Sequence, residues 1–218
     1  MRPLTVLHRD DRFLVCIKPP GLLTVAPPKG RRKPDDKTLG ERLRSDGHGA
    51  VFPAHRIDQE TSGIVVCGRD AETKERLMAA FKRREVDKTY VAVVQGCPKP
   101  ESGTLRFAIK DLGARAVIAR DGQPAETRYR TIQRYSGAAL VEVELLTGRH
   151  NQIRLHFAHI GHPLVGERKY ARGGAAHVRH KRAALHAAKL CLKHPWTAEP
   201  MSFEAPLPKD LDNLLAKL

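Results

Sequence analysis

The clearest apolar patterns along the chain are short segments typical of β-strands. Short apolar runs rich in β-branched residues, at 13–17, 63–67 and 90–94, predict buried strands. In two further segments, 105–109 and 141–145, apolar residues alternate with polar ones, which is typical of strands with one side facing solvent. The pattern therefore predicts a sheet as the main element of the fold.

Helical spacing is confined to three segments. Apolar residues recur every three or four positions at 71–84, 152–160 and 209–218. Strands outnumber helices and the two do not alternate regularly, so the pattern predicts an α+β fold with a mainly antiparallel sheet flanked by helices. The 218 residues show no internal repeat and no long linker, and they predict a single domain, 1–218, that ends in a C-terminal helix.

The charge is strongly positive, with 39 Lys and Arg against 24 Asp and Glu, a net +15. Basic residues cluster at 18–44 and again at 168–193, where no acidic residue occurs. Clustered cations bind a polyanion favourably because binding releases the counterions of the polyanion. Nucleic acid is therefore favoured as the partner over an anionic membrane. A merely solvated basic face is the alternative. Residues 27–50 are predicted as a basic loop region with three candidate RNA contacts: Arg31, Arg32 and Lys33.

The composition and missing motifs exclude several classes of protein. The longest apolar run has five residues, far from the about 20 that a bilayer-crossing helix needs, and the N-terminus lacks a secretory signal. Four widely spaced cysteines without a CxxC pair indicate reduced thiols in a cytoplasmic protein. Dinucleotide, P-loop and hydrolase-elbow motifs are missing, so those three classes of protein have no motif support. His159 and His162 lack an HExxH pattern, so no metal site is predicted.

Two polar segments beside apolar strands carry the candidate chemistry. Residues 55–63 place Asp58 near an arginine and directly before a strand, where the carboxylate is either a nucleophile or half of a structural ion pair. Residues 147–156 lie at a strand-to-helix junction, where Arg149 and Arg154 could bind phosphate, bind a carboxylate or only aid solubility. The residue types alone leave these alternatives open.

Together these segments resemble the RluA-type family of RNA pseudouridine synthases. Residues 55–63 match its HRLDxxTSG signature with Ile57 for Leu, and residues 147–156 match its TGRxHQIRxH motif. Three further family motifs follow the family order along the chain: KPxG at 18–21, KxY at 88–90 and GHPIxGD at 161–167. Asn151 stands where the family usually has His, and Glu167 stands where it has Asp.

The resemblance covers about residues 4–208 and implies the family's catalytic domain without the S4-like RNA-binding domain of many relatives. It implies a pseudouridine synthase fold, a mainly antiparallel mixed sheet flanked by helices around a central active-site cleft. It also implies that uridines in tRNA or rRNA are flipped out and isomerised to pseudouridine without a metal or cofactor. The implied protein is a cytoplasmic monomer whose partner is RNA rather than a membrane or a nucleotide cofactor.

The resemblance also implies roles for individual residues. Asp58 is the essential aspartate, Arg154 is its cationic partner, and Tyr90 packs against the target base. Arg56 takes the place of the extruded nucleotide and binds its phosphate. Two further candidate RNA contacts lie in the same motifs: His55 and Arg149.

Two alternative functions remain open. A non-catalytic RNA-binding or ribosome-assembly protein could keep the fold, although the intact Asp58, Tyr90 and Arg154 speak against this. A nucleic-acid N-glycosidase would pair two carboxylates, and Glu60 lies on the same side of an extended segment as Asp58. The motif match at 61–63 favours the synthase.

Overall fold

A computed structural model describes three stretches of the chain: residues 3–27, 36–171 and 178–218. The chain divides into two compact units. The first unit comprises Met1–Val86 and Lys189–Ala205, and the second comprises Asp87–Ala188 and Pro206–Leu218. The single domain predicted over 1–218 stays a prediction.

The described residues form twelve strands and four helices. The strands are, in chain order, β1 Val6–Arg9, β2 Phe13–Lys18, β3 Phe52–Pro53, β4 Ser62–Gly68, β5 Asp87–Gln95, β6 Ser102–Arg106, β7 Ile109–Asp111, β8 Ala116–Ile118, β9 Glu126–Tyr135, β10 Ala138–Leu145, β11 Leu185–Lys193 and β12 Pro200–Glu204. The helices are α1 Leu39–Ser45, α2 Ala71–Arg83, α3 Gln152–His159 and α4 Lys209–Leu215. No helix in these described stretches is long and apolar enough to cross a membrane.

The first unit is built around strand β2. It lies between β1 and β4 and runs antiparallel to both, while β12 pairs antiparallel with β11. The core joins apolar residues of these strands to helix α2: Phe13, Val15, Ile64, Val66, Leu77, Leu190, Leu192 and Phe203. The strands predicted at 13–17 and 63–67 are confirmed, because both interior strands are buried along nearly their whole length.

Helix α1 lies inside the segment 27–50, which its basic composition predicts as a loop. The Thr38 hydroxyl accepts from the Glu41 N–H, and the Glu41 carboxylate accepts from the Thr38 N–H at 2.9 Å. This capping box satisfies two backbone donors and starts a helix, so the loop prediction is corrected at residues 39–45. The three basic residues predicted as RNA contacts in this segment lie outside the described residues: Arg31, Arg32 and Lys33.

The second unit contains an antiparallel sheet in the order β5-β10-β9-β6 and a separate hairpin, β7-β8. Helix α4 buries Leu211 and Leu214 against this sheet's core. The single strand predicted over 105–109 is wrong, because β6 ends at Arg106 and β7 begins at Ile109. The antiparallel pairing within both units confirms the predicted α+β class.

Helix α3 is buried around its whole circumference over residues 152–157. It begins after Asn151, whose φ of 53° lies in the left-handed region that asparagine tolerates better than most residues. The predicted helix is confirmed, but its polar side chains do not form a solvent-facing side. Gln152, Arg154 and His156 therefore need partners inside the protein.

His156 should make the protein less stable in acid. Burial holds the pKa of this fully enclosed imidazole at about 4, below its ordinary 6.5, against the opposing hydrogen bond to the Phe107 carbonyl oxygen. Between these two values the unfolded chain takes up a proton that the folded chain does not, so stability present above pH 6.5 is lost as the pH falls. The loss should reach roughly 3 kcal/mol by pH 4.

Urea unfolding at pH 7 and pH 4 measures this loss. The variant His156→Gln keeps a side-chain donor but cannot take up the proton, so its stability should change less between the two pH values than that of the wild type. An equal change in both proteins would show that other groups cause the acid sensitivity.

Candidate active site

The loop that carries Asp58 is anchored at the residues on both sides of it. The Thr24 hydroxyl donates to the Ile57 carbonyl oxygen at 2.8 Å and accepts from the Ile57 N–H at 3.3 Å. The Lys18 ammonium donates to the Gln59 carbonyl oxygen at 3.1 Å. The half-buried Asp58 therefore lies between two neighbours whose backbone positions are fixed.

Lys18 is fully buried, and only its place in the KPxG motif marks it in the sequence. Its ammonium also donates to the carbonyl oxygens of Pro19 and Leu22, at 3.0 and 2.8 Å. Burying a cation is costly unless its donors are satisfied, and three carbonyl oxygens match the three N–H groups of an ammonium. Lys18 thus ties the turn after β2 to the Asp58 loop.

His55 and Arg56, the two residues predicted to bind RNA in the same loop, differ in their surroundings. The His55 Nε2 accepts from the Val66 N–H at 3.0 Å, and its ring packs 4.4 Å from the Phe81 ring. An accepting Nε2 places the ring proton on Nδ1. Arg56 is exposed. The structure gives His55 a part in holding β4, whereas the RNA contacts of both residues stay predictions.

Tyr90 lies on β5, opposite Val143 of β10, and only 7% of its surface is exposed. This position is compatible with a tyrosine that packs against a base and with an ordinary core tyrosine. Asp58 belongs to the first unit, whereas Tyr90 and Arg154 belong to the second. The predicted grouping of these three residues therefore stays a prediction.

The buried amide of Gln152 organises the turn from β10 into α3. Its Oε1 accepts from the Thr147 hydroxyl at 2.8 Å and from the Arg149 N–H at 3.0 Å. Its Nε2 donates to the Glu126 carbonyl oxygen and the Thr127 hydroxyl, at 2.9 and 2.8 Å. The Arg149 side chain donates to a backbone carbonyl oxygen at 3.2 Å, and its RNA contact stays a prediction.

Arg154 and Glu167 form a buried, two-pronged ion pair. Arg154 Nε donates to Glu167 Oε2 at 2.6 Å, and Nη2 donates to Oε1 at 2.8 Å. The Arg154 side chain is 9% exposed and the Glu167 side chain is fully enclosed. Burial by itself would raise the pKa of Glu167, but the hydrogen bonds and positive charge of Arg154 bring that pKa below its ordinary value.

Asn151 contacts the same arginine. Its Oδ1 lies 3.5 Å from Arg154 Nη1, while its Nδ2 donates to the Tyr170 hydroxyl at 2.6 Å. The Tyr170 hydroxyl oxygen also accepts from the Ala116 N–H of β8 at 3.2 Å. Asn151 and Glu167, the two departures from the family motifs, therefore both contact Arg154.

Two cations of the basic segment 168–193 pair with carboxylates of the same protein. Arg182 Nε and Nη2 donate to the Asp210 carboxylate at 2.7 and 3.2 Å, and Lys189 pairs with Glu204 at 2.8 Å. The Arg182 side chain is only 8% exposed. The basic composition of this segment favours nucleic acid as a partner, but the buried Arg182 is directed at a carboxylate of the protein itself. The Lys189–Glu204 pair is exposed and is expected to add little stability.

The candidate side chains offer proton transfer, nucleophilic attack and charge stabilisation. Asp58 supplies a carboxylate on anchored backbone, Tyr90 supplies a phenol on a strand, and Arg154 supplies a guanidinium held by another carboxylate. Within the described stretches, no group of three or more His, Cys, Asp or Glu side chains is arranged to hold a metal ion.

A sequence model described as RNA pseudouridylate synthase matches residues 12–159, which include Asp58, Tyr90 and Arg154. The chain belongs to the RNA pseudouridine synthase family. This match confirms the resemblance predicted from the spaced motifs. As a member of the family, this synthase isomerises uridine to pseudouridine in RNA.

Relatives of the synthase match along most of its length. Ribosomal large subunit pseudouridine synthase D of Xanthomonas campestris is 35% identical over 244 residues, covering 99% of this chain and 70% of the relative. Dual-specificity RNA pseudouridine synthase RluA of Escherichia coli K12 is 33% identical over 208 residues, covering 93% of each. The solved structure of Human RNA Pseudouridylate Synthase Domain Containing 4 has a TM-score of 0.78 at 24% identity, over 98% of this chain and 92% of that one. It confirms the fold.

Proposed function

We propose that this synthase modifies one or more uridines of tRNA or ribosomal RNA, with Asp58 as its essential residue. The observation that carries the proposal is the anchoring of the Asp58 loop by Thr24 on one side and Lys18 on the other. A carboxylate on fixed backbone can approach a bound ribose at a defined distance. One relative is named for the ribosomal large subunit, which supports ribosomal RNA among the substrates.

The reaction needs a group that acts on the ribose. The N1–C1′ bond of uridine breaks, the uracil turns over, and C5 joins to C1′. N1 ends with a proton and C5 loses one, so the change requires neither an oxidant nor net hydrolysis. In the proposed mechanism the Asp58 carboxylate either attacks C1′ or removes the proton from C2′.

Arg154 and Tyr90 complete the proposed catalytic set with Asp58, as the family motifs imply. Arg154 supplies the positive charge that a carboxylate needs when water is excluded, and its burial suits that role. Tyr90 stacks on the uracil and helps to remove the C5 proton through its hydroxyl. An aromatic ring with a polar tip suits both tasks.

Arg56 completes the proposal on the RNA side. Its exposed guanidinium fills the space that the flipped nucleotide leaves and binds its phosphate. Extruding a base costs a few kcal/mol, which phosphate contacts from the basic surface offset. The synthase acts in this proposal as a cytoplasmic monomer without a nucleotide cofactor.

Tritium release tests the proposed function. RNA labelled with [5-³H]uridine is taken from cells that lack this protein, separated into tRNA and ribosomal RNA, and incubated with the synthase. Release from one or both fractions is expected, because the reaction replaces the hydrogen on C5. Binding without release from either fraction would favour the RNA-binding alternative, and the appearance of free uracil would indicate an N-glycosidase.

A further inference from the structure

The strongest unexplained feature near the candidate site is the set of partners around Arg154. Glu167 occupies its Nε and Nη2, at 2.6 and 2.8 Å, and Asn151 Oδ1 lies 3.5 Å from its Nη1. All three nitrogens of the guanidinium therefore have a neighbour within the second unit. Two parallel hydrogen bonds to one carboxylate fix both the plane and the direction of a guanidinium.

Glu167 is itself held in place. Its Oε1 also accepts from the backbone N–H groups of Lys169 and Tyr170, at 2.7 and 3.2 Å. The lowered pKa of this enclosed carboxyl keeps it ionised, as the pairing with Arg154 requires. Backbone N–H groups of a tight turn thus hold the Glu167 carboxylate and fix its position.

Asn151 and Tyr170 add a second support. The Asn151 amide donates to the Tyr170 hydroxyl at 2.6 Å, and that hydroxyl accepts from the Ala116 N–H at 3.2 Å. The chain of contacts therefore runs from Arg154 to the β7-β8 hairpin. Because the Asn151 backbone has a φ of 53°, its side-chain position follows from a turn that few other residues adopt.

We propose that Glu167 is a positioning residue that sets the orientation of Arg154 for catalysis, with Asn151 and Tyr170 as its second support. The inference rests on the proposed function, in which Arg154 takes part in catalysis with Asp58. A buried ion pair contributes little net stability, because the cost of desolvating both charges offsets their attraction. Stability alone therefore does not explain why this pair is present, whereas a reaction that requires one orientation of Arg154 does.

Three variants distinguish an effect of Glu167 on the orientation of Arg154 from an effect on the stability of the fold. Glu167→Gln removes the charge and one good acceptor, and Glu167→Asp keeps the charge on a shorter side chain. Asp210→Asn is the matched control, because it changes the carboxylate of another two-pronged pair in the second unit, in which Arg182 is buried and Asp210 is partly exposed. For each variant kcat and KM are measured by tritium release, and Tm by thermal unfolding.

If Glu167 positions Arg154, Glu167→Gln should lower kcat about 100-fold with KM little changed, because a small displacement of a catalytic group has a large effect on rate. Glu167→Asp should recover at least about tenfold of that loss. Asp210→Asn should lower Tm but leave kcat within about threefold of the wild type. A Glu167→Gln protein that loses Tm but keeps kcat would show that the pair only stabilises the fold.

Tyr170→Phe keeps the inference testable if Glu167→Gln fails to fold. It removes one hydroxyl, the partner of the Asn151 amide and the Ala116 N–H, and leaves the ion pair intact. We expect kcat to fall about fivefold to tenfold. An unchanged kcat would remove Asn151 and Tyr170 from the proposal.

A measurement without substrate distinguishes failure of this inference from failure of the proposed function. The Arg154 Nε–H signal of ¹⁵N-labelled protein, assigned with Arg154→Lys, should exchange slowly in the wild type and in Asp210→Asn. Loss of the Glu167 acceptor should speed that exchange about tenfold or more. Slow exchange without tritium release in the wild type would overturn the proposed reaction alone. Fast exchange in the wild type would overturn the positioning role.

Discussion

Asp58→Asn is expected to abolish pseudouridine formation while RNA binding persists. The amide has nearly the shape of the carboxylate but can neither attack C1′ nor take a proton from C2′, so the rate should fall about 10³-fold or more. RNA affinity should stay within about tenfold, or about 1.4 kcal/mol, because phosphate contacts supply most of the binding. Single-turnover tritium release gives the rate, and filter binding at fixed salt gives the affinity.

Glu60→Gln is the matched control for this variant. It removes the other carboxylate of the same loop, and its rate should stay within about threefold of the wild type. Equal loss in both variants would point to a pair of carboxylates, as a glycosidase uses. An Asp58→Asn protein with the wild-type rate would remove Asp58 from the mechanism, and a large loss of RNA affinity would make Asp58 a structural residue.

Gly166→Ala is expected to destabilise the protein strongly. Gly166 has a φ of +80°, and an added Cβ would overlap the Arg182 carbonyl oxygen and lie 2.7 Å from its carbon. Gly166 directly precedes Glu167, so a shift of its backbone would disturb the turn that holds Glu167. The free energy of unfolding should fall by about 4 kcal/mol or more, since overpacking adds to the cost of a left-handed alanine. Urea unfolding at pH 7 measures the loss.

Gly161→Ala separates the two causes of that loss. Gly161 has nearly the same φ, +81°, but its added Cβ would have nothing within 4 Å. This variant should lose only about 1–2 kcal/mol, the cost of the left-handed conformation. Similar losses of unfolding free energy in the two variants would show that the close approach to Arg182 does not contribute to the destabilisation.

The main strands were predictable because strands enclosed on both faces need continuous apolar sequence. β2 and β4 coincide with the predicted runs at 13–17 and 63–67 almost residue for residue. Helix α1 was missed although its capping signal, Thr38 followed by Glu41, is visible in the sequence. The basic composition of the segment before it favours a loop, and a capping signal of only two side chains is too weak to change that prediction.

The candidate site was only partly predictable. The motif resemblance assigns Asp58, Tyr90 and Arg154, but it does not reveal Glu167 as the carboxylate that holds the arginine. Polar residues such as Lys18 and Gln152 suggest solvent exposure when considered alone, because their burial depends on acceptors brought together by folding. Lys18 meets the Gln59 carbonyl oxygen across 41 positions of sequence, a relation that no local pattern contains.

The buried ammonium of Lys18 also has a consequence for protein engineering. Through Lys18, strand β2 helps to hold the loop that carries Asp58, although no role in the reaction is assigned to this strand. A fragment that begins after residue 18 would retain all three proposed catalytic side chains in its sequence. It would lack the cation that joins three backbone carbonyl oxygens around the loop. Minimal versions of this enzyme should therefore be shortened elsewhere.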